Sequence, residues 1–447
     1  MNAPGPDAPL THARVWKIAA PIVLSNATVP LLGAVDTGVV GQMGQAAPIG
    51  AVGLGAVILA TLYWIFGFLR MGTSGLAAQA HGAGDAAERS AILLRALLIG
   101  AAAGLVLILA QGLLIRGAFA LAPATPEVET LARDYLAIRI WGAPATIALY
   151  AVSGWLLAIE RTRAMVAVQL WITGLNLVLD LWFVLGLGWG VAGVATATLI
   201  AEWTGLALGL WLCRSAFGPG LAAARARLWD RAALRLMLDV NRDIMIRSVL
   251  LQLSFTTFIF LGAREGDVTL AANQVLLQFL EITAYALDGF AYAAEALVGQ
   301  AVGQRRPAAV RRAASLTLFW GFAGALLLGL AFALFGPALI DLMATDPAVR
   351  AEARHFLPWI VAAPLIGSAA WTYDGIYIGA TLTRTMRNLM MICVAIYVVA
   401  LALLVPAFGN HGLWAALAVL NLSRSFAMWR RAPEAEAKAA TLPAMAA

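Results

Sequence analysis

The chain has 447 residues, 62% of them hydrophobic and only 12% charged, with a mean hydropathy of +0.84. A soluble globular protein carries about 25% charged residues, so this composition excludes one and describes an integral membrane protein. The net charge of +6 does not indicate nucleic acid, because the basic residues lie in short loops between apolar runs, where membrane orientation accounts for them.

Apolar runs predict helices at 14–41, 51–79, 90–116, 129–158, 165–186, 190–213, 237–262, 270–299, 310–336, 350–379, 387–407 and 411–430, twelve spans in all. The alternating segments of about ten residues that build a membrane barrel are absent. Span 1 is too long for a signal-peptide core and reads as retained. It holds one acid, Asp36, with no other charge after Lys17. A carboxylate in hydrocarbon costs several kcal/mol, so it faces a wet cavity or is protonated. Pro21 and Pro30 flank the middle of the span; each removes a backbone hydrogen bond and can kink the helix. Span 2 carries Arg70.

The loops set the orientation. One set is rich in arginine, including Arg89, Arg161, Arg163, Arg225, Arg305, Arg306 and Arg384, whereas the opposite loops at 42–50, 185–189 and 407–410 have no Lys or Arg. The arginine-rich loops and both termini are therefore expected in the cytoplasm of a bacterial inner membrane.

Span 5 runs outward and carries Asn176 and Asp180, four residues apart and so on one face. Asp36 lies ~8 Å below the outer end of span 1, near the depth of Asp180. Span 6 returns inward, with Thr198 at similar depth and Glu202 one turn below. These residues could line one pocket in the outer half of the first bundle. Two nearby carboxylates repel, which raises one pKa towards the range of proton exchange. The polar stretch 214–236 then divides the chain. In the second half, Glu281, Asp288 and Glu295 recur every seven residues on span 8, near one face, and Asp374 sits near the inner end of span 10. These acids could attract a cationic substrate, or pair with Arg70, since intramembrane charges commonly pair. Aromatics such as Tyr63, Phe279 and Tyr285 could stack on a cation, though packing accounts for each singly.

The two halves repeat. Gln79-Ala80-His81-Gly82 matches Gln300-Ala301-Val302-Gly303 at 300 − 79 = 221, and Arg163-Ala164-Met165 matches Arg384-Thr385-Met386 at the same offset. Gly154 matches Gly375 likewise. An even number of spans per half gives repeats of one orientation, an arrangement typical of transporters. At that offset Asp36 maps to Thr257 and Asp180 to Leu401, so the scaffold is duplicated and the acids are not. The expected fold is all-α: twelve transmembrane helices in two pseudo-symmetric six-helix bundles. An N-lobe spans 1–213, a cytoplasmic linker 214–236, a C-lobe 237–431 and a disordered tail 432–447.

The stretch Val35-Asp36-Thr37-Gly38-Val39-Val40-Gly41-Gln42-Met43-Gly44, followed by Ala51-Val52-Gly53-Leu54-Gly55, resembles the first-helix signature of the multidrug and toxic compound extrusion (MATE) family. The segments 68–80 and 284–291 resemble its DinF branch, and the likeness extends over all twelve spans. The resemblance implies a cation-driven exporter with a V-shaped pair of six-helix lobes. It also implies an N-lobe cation site at Asp36, Asn176, Asp180 and Thr198 and a first-helix hinge at Pro21. Glu202 is outside the pattern carried over.

The reading is a monomeric inner-membrane antiporter that exports amphipathic, cationic small molecules in exchange for H⁺, or for Na⁺ at the Asp36/Asp180 site. Glu202, Arg70, Glu281, Asp288, Glu295 and Asp374 are candidate further contacts. No enzyme site, cofactor or resident metal is expected: there is no phosphate-binding glycine loop, and His12, His81, His355 and His411 are scattered without ligand spacing. The alternative within the same superfamily is a flippase for a lipid-linked precursor, which needs a cationic cavity; only Arg70 and Arg139 read as internal.

Overall fold

The computed structural model describes residues 8–42, 46–121, 124–218 and 221–441; the side chains of 27–37 and 121 lie outside the described set. Among the described residues every regular element is a helix. These are α1 (His12–Gly41), α2 (Ala46–Trp64), α3 (Phe68–Gly82), α4 (Ala86–Leu109), α5 (Gln111–Leu121), α6 (Pro126–Arg139), α7 (Ala143–Ala158), α8 (Thr162–Asp180), α9 (Gly190–Leu212) and α10 (Leu221–Arg227). The second half adds α11 (Arg231–Gly262), α12 (Asp267–Gly303), α13 (Pro307–Met343), α14 (Pro347–Gly379), α15 (Thr383–Arg431) and α16 (Pro433–Thr441).

Ten runs among the described residues are long and apolar enough to cross a membrane. The last merges two spans, because α15 turns at Gly409 (φ 55°, ψ −131°), a conformation that suits glycine. Counting those two arms separately and adding α1 gives the expected twelve.

The chain forms two compact units. One runs from Leu24 to Met237; the other takes the start of α1, up to Val23, with the chain from Leu238 on. The expected N-lobe, 1–213, holds all of α1, with the linker 214–236 and the C-lobe 237–431 after it. The structure divides α1 because its first part is a packing helix of the second unit. Val15, Ile18, Ala19 and Ile22 are buried. Trp16 meets Phe290 edge-on at 5.5 Å, and Gly289 of α12 lets the Ala19 carbonyl approach closely. Within the expected tail, 433–441 form α16, with Ala435 and Ala439 buried one turn apart and Glu436 paired to Arg311 at 2.6 Å, while 442–447 lie outside the described residues.

The duplication is visible in backbone geometry. After α3, Asp85 N–H bonds the Ala80 carbonyl (3.0 Å); after α12, Arg306 N–H bonds that of Ala301 (3.1 Å). After α7 and α14, Arg161 and Leu382 do the same to Leu156 and Tyr377, both at 2.8 Å. These are helix ends closed by a left-handed residue: Gly84 (φ 75°) and Arg305 (57°), Glu160 (58°) and Thr381 (50°), each pair 221 apart. A methyl on Gly154 would overlap the Arg70 carbonyl; one on Gly375 would overlap that of Ala291, and 291 − 70 = 221 again.

The units differ where unit 1 is interrupted. Short 3₁₀ turns, Ile65–Gly67 and Ile140–Gly142, split α2 from α3 and α6 from α7, whereas α12 and α14 run unbroken through the equivalent positions.

Candidate functional site

Three polar side chains are buried inside unit 1. Asn176 and Asp180 lie one turn apart on α8, both at 0% exposure, and Thr198 on α9 is 3% exposed. Asn176 Nδ2 donates to Thr198 Oγ1 across 3.1 Å, and the same hydroxyl donates to the Val194 carbonyl at 3.0 Å. Thr198 therefore accepts with its lone pairs while spending its proton on its own helix. Asn176 Oδ1 is buried and has no hydrogen-bond partner among the described residues. A buried unmatched acceptor in a native interior calls for an explanation, such as an ion or water it serves.

Directly after Asp180 the helix widens into a π turn, Leu181–Gly186. Leu187 N–H bonds the Trp182 carbonyl at 2.9 Å, and the Phe183 and Trp189 rings stack 4.9 Å apart. Such turns recur at functional sites because they re-aim the adjoining side chains. The fourth expected member, Asp36, is on α1, but its side chain lies outside the described residues, as does that of Pro30. Pro21 sits in the unbroken run of α1, two residues before the unit division after Val23.

Glu202, a candidate further contact, is one half of a buried ion pair. Its carboxylate takes both guanidinium nitrogens of Arg139, at 2.7 and 2.8 Å, with Glu202 8% and Arg139 6% exposed. Gly142 makes room, since a methyl there would collide with Glu202 Oε2. Tyr63 donates its hydroxyl to the Arg139 carbonyl at 3.4 Å, so this aromatic braces the pair. Arg70, 9% exposed, lies on α3 with its carbonyl against Gly154.

In unit 2, Asp374 is ion-paired. Its Oδ2 accepts from both Arg247 and Arg424, the latter at 2.7 Å. Both arginines are buried, beside Met386, Met390, Met428 and Cys393. Glu281 is exposed on α12, Asp288 is half-buried, and Glu295 is 1% exposed. Phe279 is core, edge-on to Phe332 at 5.2 Å. Sequence reasoning missed Arg247 and Arg424 as internal charges, although each falls inside a predicted apolar span, and that was the available signal. The histidines are not all scattered. His355 and His411 come together with Nε2 atoms 2.9 Å apart, and Trp359 Nε1–H donates to His411 Nδ1 at 3.0 Å.

Comparison with known proteins places this geometry. The MatE family profile matches the chain twice, over residues 21–182 and 244–404, once per repeat. DNA damage-inducible protein F of Escherichia coli (strain K12) is 39% identical over 421 residues, 93% of this chain and 92% of that protein. A probable multidrug resistance protein NorM of Neisseria meningitidis serogroup B is 26% identical, covering 76% of this chain and 75% of the relative. The crystal structure of the Vibrio cholerae MATE transporter VcmN in the bent form superposes with a TM-score of 0.85 at 19% identity, over 96% of this chain and 97% of that one. With both repeats matched and a relative aligned along nearly its whole length, the chain belongs to the MatE family of multidrug and toxic compound transporters.

Proposed function

We propose that this transporter is an inner-membrane antiporter, both termini cytoplasmic, in which proton binding in unit 1 drives export of amphipathic small molecules. The observation that carries the reading is the broken symmetry of the buried Asn176–Asp180–Thr198 group. At the 221 offset its counterparts are Tyr397, Leu401 and Val419, which belong to the apolar core of unit 2. A scaffold that keeps its turns and close contacts through duplication has no packing need for a carboxylate at 180 alone. Asp36, on α1, is the second acid of the proposed site, with Na⁺ as the alternative coupling ion. One proton moving down 100 mV supplies about 2.3 kcal/mol, besides the pH gradient. Rocking of the two lobes about the 214–236 linker gives alternating access, with Pro21 as hinge.

A cationic substrate would be drawn to Glu281 and Asp288 on α12, with Glu295 deeper in that helix. A second reading, export of an anionic amphiphile such as a lipid-linked precursor, is favoured by one feature. Two buried guanidiniums, Arg247 and Arg424, share a single carboxylate oxygen in unit 2. Proteoliposomes given ΔpH or a Na⁺ gradient separately, with cationic and anionic dyes as cargo, distinguish these readings. Transport insensitive to both gradients excludes the antiporter.

A further inference from the structure

The chain between α9 and α11 is fastened to unit 1. α10 packs on α4, with Ala224 fully buried. Arg95 of α4 is buried and donates through Nη2 to the Arg227 carbonyl at 2.5 Å and through Nε to the Leu228 carbonyl at 3.3 Å. A guanidinium thus takes up the carbonyls that the end of α10 leaves open. Arg227 pairs with Asp85 at 2.5 Å and Arg95 with Glu88 at 2.6 Å, so the acids at the start of α4 are engaged by those two arginines.

The face left outside is basic and aromatic. Arg225, Arg231 and Arg235 are exposed and form no ion pair among the described residues. Arg231 and Arg235 lie one turn apart and share a face of α11. The single acid of 214–237, Asp230, accepts the Ala232 and Ala233 N–H groups at 2.8 and 3.3 Å and so caps α11. Trp229 is 73% exposed. At the other end of the stretch Trp211 is exposed in the last turn of α9, with the Arg214 guanidinium 4.4 Å from its ring. Because α9 and α11 are both long and apolar enough to cross a membrane, the stretch that joins them begins and ends at one surface of the bilayer.

We propose that Arg225, Trp229, Arg231 and Arg235 form a docking surface for the headgroup layer of acidic phospholipids. Guanidinium forks match the geometry of phosphate oxygens, basic segments beside a membrane helix are drawn to anionic headgroups, and tryptophan settles at that level. The surface is held within reach of the headgroups by its own spans. Since α10 is locked to α4 through Arg95 and Arg227, docking anchors unit 1 and not a slack loop. This inference depends neither on the coupling ion or cargo of the transporter nor on which leaflet the linker faces.

The test places a spin label on the full-length protein in nanodiscs, at Ala226→Cys, an exposed position of α10. The two native cysteines, Cys213 and Cys393, are buried. Collision of the label with a neutral, water-soluble nickel chelate is read by electron paramagnetic resonance, in phosphatidylcholine alone and in phosphatidylcholine mixed with phosphatidylglycerol. Phosphatidylglycerol should shield the label, and high salt should remove the shielding. Arg225→Gln, Arg231→Gln and Arg235→Gln should each lower the ratio of docked to undocked protein about fivefold, and should leave the melting temperature unchanged because those side chains have no ion pair to lose. Equal collision rates in the two lipids overturn the proposal, and that comparison stands even if a Gln variant fails to fold. Shielding by phosphatidylglycerol that survives all three substitutions in folded protein overturns it as well.

Discussion

Asn176 reaches Thr198 across 3.1 Å and is left with its own carbonyl oxygen, Oδ1, unmatched among the described residues. Because the Thr198 proton goes to Val194, the pair presents acceptors one turn from the Asp180 carboxylate, and acceptors are what a proton or small cation requires. Asp180→Asn and Asp36→Asn should therefore insert and fold, since losing an intramembrane carboxylate lowers the cost of insertion. Both should bind substrate yet lose substrate-triggered proton release and ΔpH-driven uptake in inverted vesicles. Thr257→Ala, at the duplicate of position 36, should keep both. Undiminished proton release in the two Asn variants would falsify the site.

The Arg139–Glu202 pair should prove structural. Removing one partner of a buried ion pair costs about 3–5 kcal/mol, while replacing both by apolar residues is often neutral. Glu202→Ala should lower the thermal midpoint sharply, and Arg139→Met with Glu202→Leu should recover most of it. Transport per folded molecule should survive in the double variant. If it vanishes there, Glu202 belongs to the proton path after all.

Asp374→Asn should destabilise by a similar amount, about 3–5 kcal/mol, because Arg247 and Arg424 lose the carboxylate oxygen they share. Export of cationic and neutral cargo should fall together, in proportion to folded protein. Selective loss of cationic export at normal stability would restore Asp374 as a substrate contact.

At the base of α4, Asp85 binds the Glu88 backbone N–H at 2.9 Å and Arg227 of α10 at 2.5 Å. Burial pushes the Asp85 carboxyl up, but those two hydrogen bonds and the Arg227 charge outweigh it and hold it below its ordinary value. A depressed pKa stabilises above the unfolded value, about 3.9, and that contribution is lost as pH falls through the folded one. The melting temperature of wild type should exceed that of Asp85→Asn at pH 7, and the gap should close below about pH 4. A gap independent of pH would mean the charge of Asp85 contributes nothing.

Left-handed residues with side chains carry strain, roughly 1–2 kcal/mol relative to glycine. Glu160→Gly should raise the thermal midpoint, and Gly84→Ala should lower it although open space surrounds that position. Chemical or thermal denaturation of the two variants in one detergent reads both signs.

The span count and the repeat were legible because hydropathy and a fixed offset are one-dimensional signals. Asn176, Asp180 and Thr198 could be brought together from helix rise and direction alone, and the structure does bring Asn176 to Thr198. The partner of Glu202 was not legible: Arg139 is 63 residues away, and only the packing of α6 beside α9 joins them. The arginines of Asp374 were not legible for the same reason, being 127 and 50 residues distant. The division of α1 was hidden because the apolar run from Val15 to Gly41 shows no break in hydropathy. The π turn after Asp180 carries no periodic signature at all.

The contact of Gly154 with the Arg70 carbonyl, and of Gly375 with that of Ala291, has a consequence for how the halves diverged. Each glycine touches the main chain of its neighbour, and every residue has that carbonyl. The side chain at the touched position is thus outside the joint, so arginine in one copy and alanine in the other fit equally well. A duplicated ancestor joined this way could acquire or discard a membrane charge in one half by a single substitution, with the helix crossing undisturbed.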